Sequence, residues 1–596
     1  MTKKFNRLLV ISVIVIFAVM QLVYSFYFEK SFNEKVFAWD GVTSATPLGD
    51  GTEESPYIIS SAEELFFVSV QNNLGNLEVN TYFELTDNIN LEEYEWTPIG
   101  TSTHPFAGNF DGNNYTIYNI NIELSNDLSY YGLFGYVLSA RIENLKVAEV
   151  EYTYNFTDKL QDVSIGSVVG YATNSSEIIS VTTSGAITIQ NASNTINVGG
   201  IVGYLNNSNL VKAYNNTRFT ISNANTLTIG GLVGYSNNSY IKESFNKRDI
   251  NLTTTSSLIL GGVTGNSQNT QFTKVFNEGN LAATSQSVFI GGIAGLLEES
   301  LSDTHSYMYN LGLVSLNGTD ELETSLYAGG LFGQVVGSSA IEYSYNVGEV
   351  KIDDSSVVST FNIGSLVGEL GLGASISYSY YQRENQIGTD GVGINFGTIT
   401  AVEDESNTNM KSRGTYIGDG WNFNSTWIWS ASLNSSYPAI RYVGNYSIHI
   451  QISGSGTVKN FSSGVYFYSL GEGVSYTLIS GNGYQIDKII FGSEEISAFS
   501  GDTVATYNAI SNGMPSTREL NFLVTFVRIP FTKTQMFWYI VVVSAIIISM
   551  IVGTIIINYR YDVKMDKIMA EKKKTLVLKP EKEIINKKEP TPKKRN

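Results

Sequence analysis

The sequence contains no cysteine, which excludes disulfide staples, iron–sulfur clusters, thiolate zinc sites and thiol catalysis. An extracellular place is not excluded, because a large core needs no staples. Histidine is nearly absent: His104, His305 and His449 stand far apart, and no H-E-x-x-H pattern occurs. No G-x-x-x-x-G-K-[ST] phosphate loop is present either. Proline numbers 10 and charged residues make up 15%, below the quarter usual for globular domains. In their place stand 55 glycines and many Ser, Thr, Asn, Val and Ile, with 42% hydrophobic and 12% aromatic residues. That mixture suits strands and tight turns around a real core. At 596 residues the chain exceeds what one core serves, so several modules or an elongated repeat array are expected.

The net charge of −18 is unevenly placed. Residues 39–558 hold 19 basic against 47 acidic side chains, whereas 559–596 hold 13 against 6 and 1–38 hold 5 against 2. An acidic body argues against nucleic acid as its partner. The basic ends read better as membrane topology. Lys3, Lys4 and Arg7 precede an apolar run from Leu8 to Val23, and Ala38 offers a small residue for cleavage. Two readings stand for 1–38: a signal peptide or a retained N-terminal anchor. Residues 536–557 form a second apolar run of 22 residues, long enough at ~1.5 Å per residue to cross a bilayer. Phe537, Trp538 and Tyr539 flank one end, Tyr559 and Tyr561 the other. The Lys-rich tail over 558–596 is expected to be cytoplasmic, which leaves the body outside, and its stretch 571–596 is expected to be disordered.

Internal repetition dominates the body. A small-residue block recurs eight times and closes on Gly135, Gly170, Gly203, Gly234, Gly265, Gly295, Gly333 and Gly368, with spacings of 30 to 38 residues. An aromatic–Asn pair follows 12 to 15 residues later, giving Asn215, Asn246, Asn277, Asn310 and Asn346. Alternating β-branched stretches such as 187–189 and 227–229 supply a third element. Three short strands per repeat without helical periodicity fit one coil of a β-solenoid, with coils stacked ~4.8 Å apart. Propeller blades need four strands and longer repeats, so that alternative is set aside. The asparagines are expected to form one column of stacked amides at a corner.

These blocks resemble the GLUG motif of bacterial surface proteins. The resemblance extends to Trp96-TPIG100 with Pro105-FAGNFDGNNYTIYNINI, to Gly51-TEESPYIISSAEEL65, and to Trp421, Trp427-IWS430 and Tyr437-PAIRY442, about residues 48–443 in all. It implies an all-β, right-handed parallel β-helix of about eight coils. Two departures stand out: Gly166 and Gly364 are followed by Ser, and the Asn is missing from those repeats. The domain reading is a cap and opening coils over 39–98, the solenoid over 99–400, its C-terminal cap over 401–443, and a small β module over 444–530. The last resembles the small divergent repeats of internalin-type cell-surface proteins. A short amphipathic helix is expected from Ser61 onward.

Chemistry is scarce. Carboxylates that could serve a glycan-processing site are Glu92, Glu93 and Glu95, Asp111, and Asp320, Glu321 and Glu323 in the longest insertion. All read more simply as turn residues. Acidic turn 50–54 lacks the spacing of an EF-hand loop. No catalytic residue, metal or cofactor is therefore assigned. The expected function is non-enzymatic adhesion or surface interaction with a glycan or protein ligand. A membrane-tethered polysaccharide lyase or hydrolase and a passive envelope spacer are the alternatives. What separates them is whether charged side chains from adjacent coils converge in a groove.

Overall fold

The computed structural model describes residues 39–123, 128–155, 162–190, 195–222, 224–317, 325–352, 361–385, 390–430, 433–469, 473–510, 519–530 and 535–576. The N-terminal segment 1–38, the insertion residues Asp320, Glu321 and Glu323, and the tail beyond 576 lie outside them. The chain divides into two compact units, of which the first runs essentially to residue 447.

The first unit is a parallel β-solenoid of about eight turns, as the repeat spacing predicts. Each coil contributes strands to stacked parallel ladders. One ladder joins Val163–Gly166, Thr195–Gly199, Ala224–Gly230 and their successors, aligning Gly166, Gly199, Gly230, Gly261, Gly291, Gly329 and Gly364. A second joins Phe134–Leu138, Val169–Thr173, Val202–Asn206 and Val233–Asn237. Side chains alternate inward and outward along each strand. Inward columns are therefore apolar, as in Ile142, Ile178, Leu210, Ile241 and Phe272, resumed at Ile341 and Ile376. Burying each such side chain contributes about 1.5–3 kcal/mol.

The closing glycines stack where two strands of neighbouring coils meet backbone to backbone. A Cβ on Gly234 would lie 2.6 Å from the Gly203 carbonyl oxygen, and one on Gly265 2.8 Å from that of Gly234. Only glycine permits this approach.

At the N-terminal end, helix Ala62–Asn73 begins where Ser61 Oγ accepts the Glu64 N–H at 3.3 Å. Glu64 Oε2 reaches back to the Ser60 N–H at 2.7 Å, close to a capping box. The helix buries Leu65 and Val68. Asn72 and Asn73 donate to the carbonyls of His104 and Pro98, both at 2.9 Å.

At the other end, residues 406–446 fold back along the flank. They cover an outward aromatic column made by Tyr214, Phe245, Phe276, Tyr309 and Tyr345, whose rings stack at 4.4–5.1 Å. Trp421, Trp427 and Tyr437 lie against Tyr345. Its hydroxyl donates to the Pro438 carbonyl at 2.6 Å and accepts from Asn434 at 2.8 Å. Tyr345→Phe should therefore cost about 1 kcal/mol and free this flank before the coils unfold. Limited proteolysis within 406–446, faster in the variant at equal temperature, checks it; equal rates would contradict it.

The second unit is antiparallel. Its strands Val474–Ser480 and Val504–Ile510 pair with each other, as do Tyr484–Phe491 and Glu519–Arg528. Tyr476 and Phe522 stack at 4.5 Å in its core with Leu478, Ile486 and Val524.

A helix spans Gln535–Leu576, 42 residues, and its apolar part is long enough to cross a membrane. The helix continues past the expected end of the span at 557, and most of the stretch expected to be disordered, 577–596, lies outside the described residues. No glycine or proline occurs between Gly553 and Pro580, and the Lys, Met, Ala and Glu residues there are strong helix formers.

Candidate functional site

The repeated asparagines build the interior of the site's scaffold. Asn215, Asn246, Asn277, Asn310 and Asn346 lie fully buried in one column. Each Nδ2 donates to the next Oδ1, at 2.9, 2.8, 2.8 and 2.9 Å along the column. Thr183 Oγ1 closes one end by donating to Asn215 at 3.0 Å, and the Ser365 carbonyl closes the other by accepting from Asn346 at 2.8 Å. Each amide also ties the chain two residues on. Thr217 N–H donates to Asn215 Oδ1 at 2.9 Å and Arg248 N–H to Asn246 Oδ1 at 3.2 Å. The left-handed corner residues are others, among them Asn207, Asn238 and Asn269.

In five blocks the second glycine faces this amide; in the first, Gly132 stands with Val147 at the column position. A Cβ on Gly231, Gly262 or Gly292 would lie 2.7, 2.6 or 2.6 Å from the Cβ of Asn246, Asn277 or Asn310. Every asparagine of the column thus faces a glycine. Where Ser167 and Ser365 replace the glycine, Thr183 and Tyr381 stand at the Asn position.

On the outer surface one groove of about 580 Å³ crosses several coils. It is lined by Glu93, Glu149 and Glu151, by Asn119 and Asn121, by Gly185 and Ala186, and by Arg218 and Arg248. A bulge creates it. Val147 and Val150 pair with Thr183 and Gly185, so one extra residue sits in the strand Lys146–Asn155. Bulges re-aim side chains. Asn119 and Glu149 adopt left-handed φ of 58° and 51° at this point. Gly185 has φ 125° and presses on the Val150 backbone, where no Cβ fits. Beyond the bulge, Asn121, Glu151, Ala186 and Arg218 form one outward column.

Arg218 follows the turn held by Asn215, and Arg248 that held by Asn246. Arg248 Nε also donates to the Asn216 carbonyl at 3.1 Å, which leaves its terminal nitrogens toward the groove. Among the described residues, the side chains of Glu93, Glu149, Glu151 and Arg218 have neither an ion pair nor a hydrogen bond. Elsewhere opposite charges one rung apart do pair: Lys247 meets Glu278 at 3.3 Å, and Arg141 meets Glu177.

The other sequence candidates separate. Glu92 is tied to Asn90 in a local turn, with bonds of 2.8 and 3.0 Å. Asp111 accepts from the Asn113 N–H at 2.8 Å and from Asn144 at 3.0 Å, as a turn residue does. Glu95 bridges to Asn121 at the groove's edge. Among the described residues no cluster of three or more His, Cys, Asp or Glu side chains could hold a metal.

Sequence reasoning missed one buried polar pair. His305 takes the place of an inward aliphatic between Phe272 and Ile341, and Glu299 turns inward beside it. Both side chains are 0% exposed, with His305 Nε2 3.8 Å from Glu299 Oε1. Thr270 N–H donates to that oxygen at 3.1 Å, and Phe272 N–H donates to His305 Nδ1 at 3.3 Å. The neutral ring therefore carries its proton on Nε2. Burial pushes the Glu299 carboxyl up to about 8; the Thr270 bond opposes this and Asp303 adds to it. Burial drives the His305 ring down to about 3.

No family model matches the chain. A Gly-rich membrane protein of Evansella cellulosilytica is 37% identical over 95 residues, 15% of this chain. The chain covers only 10% of that protein's length. A solved structure from Bacteroides ovatus, named for an immunoglobulin A1 protease, aligns over 66% of this chain and 94% of its own at TM-score 0.34 and 18% identity. A second structure, named IgA1 protease, aligns over 52% of this chain and 23% of its own at the same TM-score and identity. Neither likeness bears on chemistry.

Proposed function

We propose that this chain is a membrane-anchored surface-interaction protein whose solenoid binds a partner and catalyses nothing. Charged side chains converge in the groove, as the glycan-processing alternative also requires; the observation that carries the binding reading is that Glu93, Glu149, Glu151 and Arg218 are exposed and of both signs. Catalytic carboxylates need burial or close charge to leave their ordinary range. Exposed, opposed charges suit recognition. The repeated residues are glycine, aliphatics and buried amides, which build a scaffold. The apolar helix within Gln535–Leu576 supports a single crossing, and the lysines after it support a cytoplasmic C-terminus with the body outside. The partial match to a Gly-rich membrane protein and the resemblance to GLUG-type surface proteins agree with this placement.

The test uses the full chain in lipid vesicles, presented to cell surfaces and to polysaccharides. Vesicles carrying the chain should be retained on at least one surface and leave every polysaccharide uncut. Polysaccharide cleavage lost on changing Glu149 or Glu151 to Gln would overturn the binding reading. Retention equal to that of empty vesicles on all surfaces would instead mark a spacer.

A further inference from the structure

Resting on the binding reading above, we infer that the groove takes an extended peptide segment carrying one basic and one acidic side chain, presented by a partner protein. The geometry sets the chemistry. Glu151 and Arg218 share an outward column with Ala186 between them. At ~4.8 Å per rung they stand about 10 Å apart, too far to pair directly. Lys247 with Glu278 shows that this solenoid pairs opposite charges one rung apart. In the groove the intervening rung carries a methyl group instead, and both ends stay open. Glu93 and Glu149 add to the acidic end, Arg248 to the basic end.

A ligand that satisfies both ends is dipolar. An anionic polymer would meet the three glutamates, and a cationic one would meet the two arginines; each leaves one end repelled. Among the described residues no aromatic side chain lines the groove to carry a sugar ring. Tyr136, Tyr171, Tyr204 and Tyr235, the outward tyrosines of the neighbouring ladder, pack on one another at 4.8–4.9 Å. Asn119 and Asn121 instead line the groove with amides that match a peptide backbone. In an extended chain, side chains two to four residues apart lie about 7–14 Å from each other, which brackets the gap.

The arginine end is built rather than incidental. The bond from Arg248 N–H to the buried Asn246 and that from Thr217 N–H to Asn215 fix both turns from inside the solenoid. Arg218 and Glu151 are themselves exposed, so reversing either charge leaves the core intact.

The experiment is fluorescence anisotropy with the full chain in nanodiscs. The probes are short labelled peptides bearing one Lys and one Glu, Lys alone or Glu alone, together with a neutral and a uronate oligosaccharide. The mixed peptide should bind, more weakly at high salt, and at least roughly fivefold better than either single-charge peptide. Arg218→Glu alone and Glu151→Arg alone should each weaken it by a similar factor. The double exchange should not restore it, because Glu93 and Glu149 keep their place at one end and Arg248 at the other. Equal binding of all three peptides, undiminished binding to either single variant, or binding of the oligosaccharides alone would overturn the assignment. If vesicles carrying the chain still attach to cells when the mixed peptide fails, only the ligand class is wrong. If attachment fails too, the binding reading falls with it.

Discussion

Gly262→Ala should destabilise the central coils by about 3 kcal/mol, the upper end of what overpacking by one methyl group costs. The new Cβ would sit 2.6 Å from Asn277 Cβ and also overlap the Gly292 carbonyl. The coil cannot yield, because Asn277 is held by Asn246 and Asn310, both at 2.8 Å, and by the Gly279 carbonyl at 2.7 Å. Asn277→Ala should cost a similar amount, since it removes one hydrogen-bond partner from the buried Asn246 amide and one from the Asn310 amide. Overpacking and lost hydrogen bonds are separate penalties, so their coupling is measurable. Ser167 with Thr183 shows what this chain does where the glycine is absent. Gly262→Ser combined with Asn277→Thr should therefore cost less than the sum of the single changes by about 1–3 kcal/mol. Urea unfolding of the four proteins measures it. Strict additivity would show that the pairing of glycine with asparagine is accidental.

The second large effect concerns pH. Glu299 keeps its proton to about pH 8 in the fold, whereas the unfolded chain loses it near 4.5. Its stabilising share is complete below pH 4.5 and is lost as pH rises to 8. His305 runs the other way: the unfolded ring binds a proton near 6.5, the folded one only near 3. Its share is complete above 6.5 and is lost as pH falls to 3. The two slopes cancel between 4.5 and 6.5, so this coil contributes a plateau there and falls on both sides. Glu299→Gln keeps an oxygen for the Thr270 N–H and removes the titration. The stability of the variant relative to the parent should then grow from pH 4.5 to 8, at up to about 1.4 kcal/mol per pH unit. Urea midpoints across that range test it. A difference independent of pH would place the carboxyl in contact with solvent.

The parts of this molecule visible in the sequence are those that recur. Gly203, Gly234 and Gly265 repeat because every coil meets the same backbone, and Asn246, Asn277 and Asn310 because every coil continues the same amide column. The loss of Asn alongside Ser167 and Ser365 was legible too, but its cause was not. Only the fold puts the two positions, 15 to 18 residues apart, within contact. The groove was hidden because it depends on a single extra residue near Glu149, which disappears among spacings of 30 to 38. Glu93 was singled out without its neighbours, and Arg218 and Arg248 gave no signal. His305 was hidden for a related reason. The register shifts between Glu299 and Asp303, so counting from Gly295 does not reveal which residue faces inward. The helix runs on past 557 because Lys, Met, Ala and Glu favour it and no glycine or proline follows Gly553 before Pro580.

Every statement about the groove rests on the coils stacking in this register, and the absence of native cysteine allows a clean measurement. Parallel neighbours stand ~4.8 Å apart, inside the 4.4–6.8 Å that a disulfide spans between Cα atoms. Two rungs, about 10 Å, lie outside it. Cysteine pairs at 151 with 186, at 186 with 218, and at 151 with 218 should be oxidised and read by mass spectrometry of the full chain. The account predicts closure of the first two and an open third. Closure of 151 with 218, or failure of both adjacent pairs, would contradict the register and dismantle the groove.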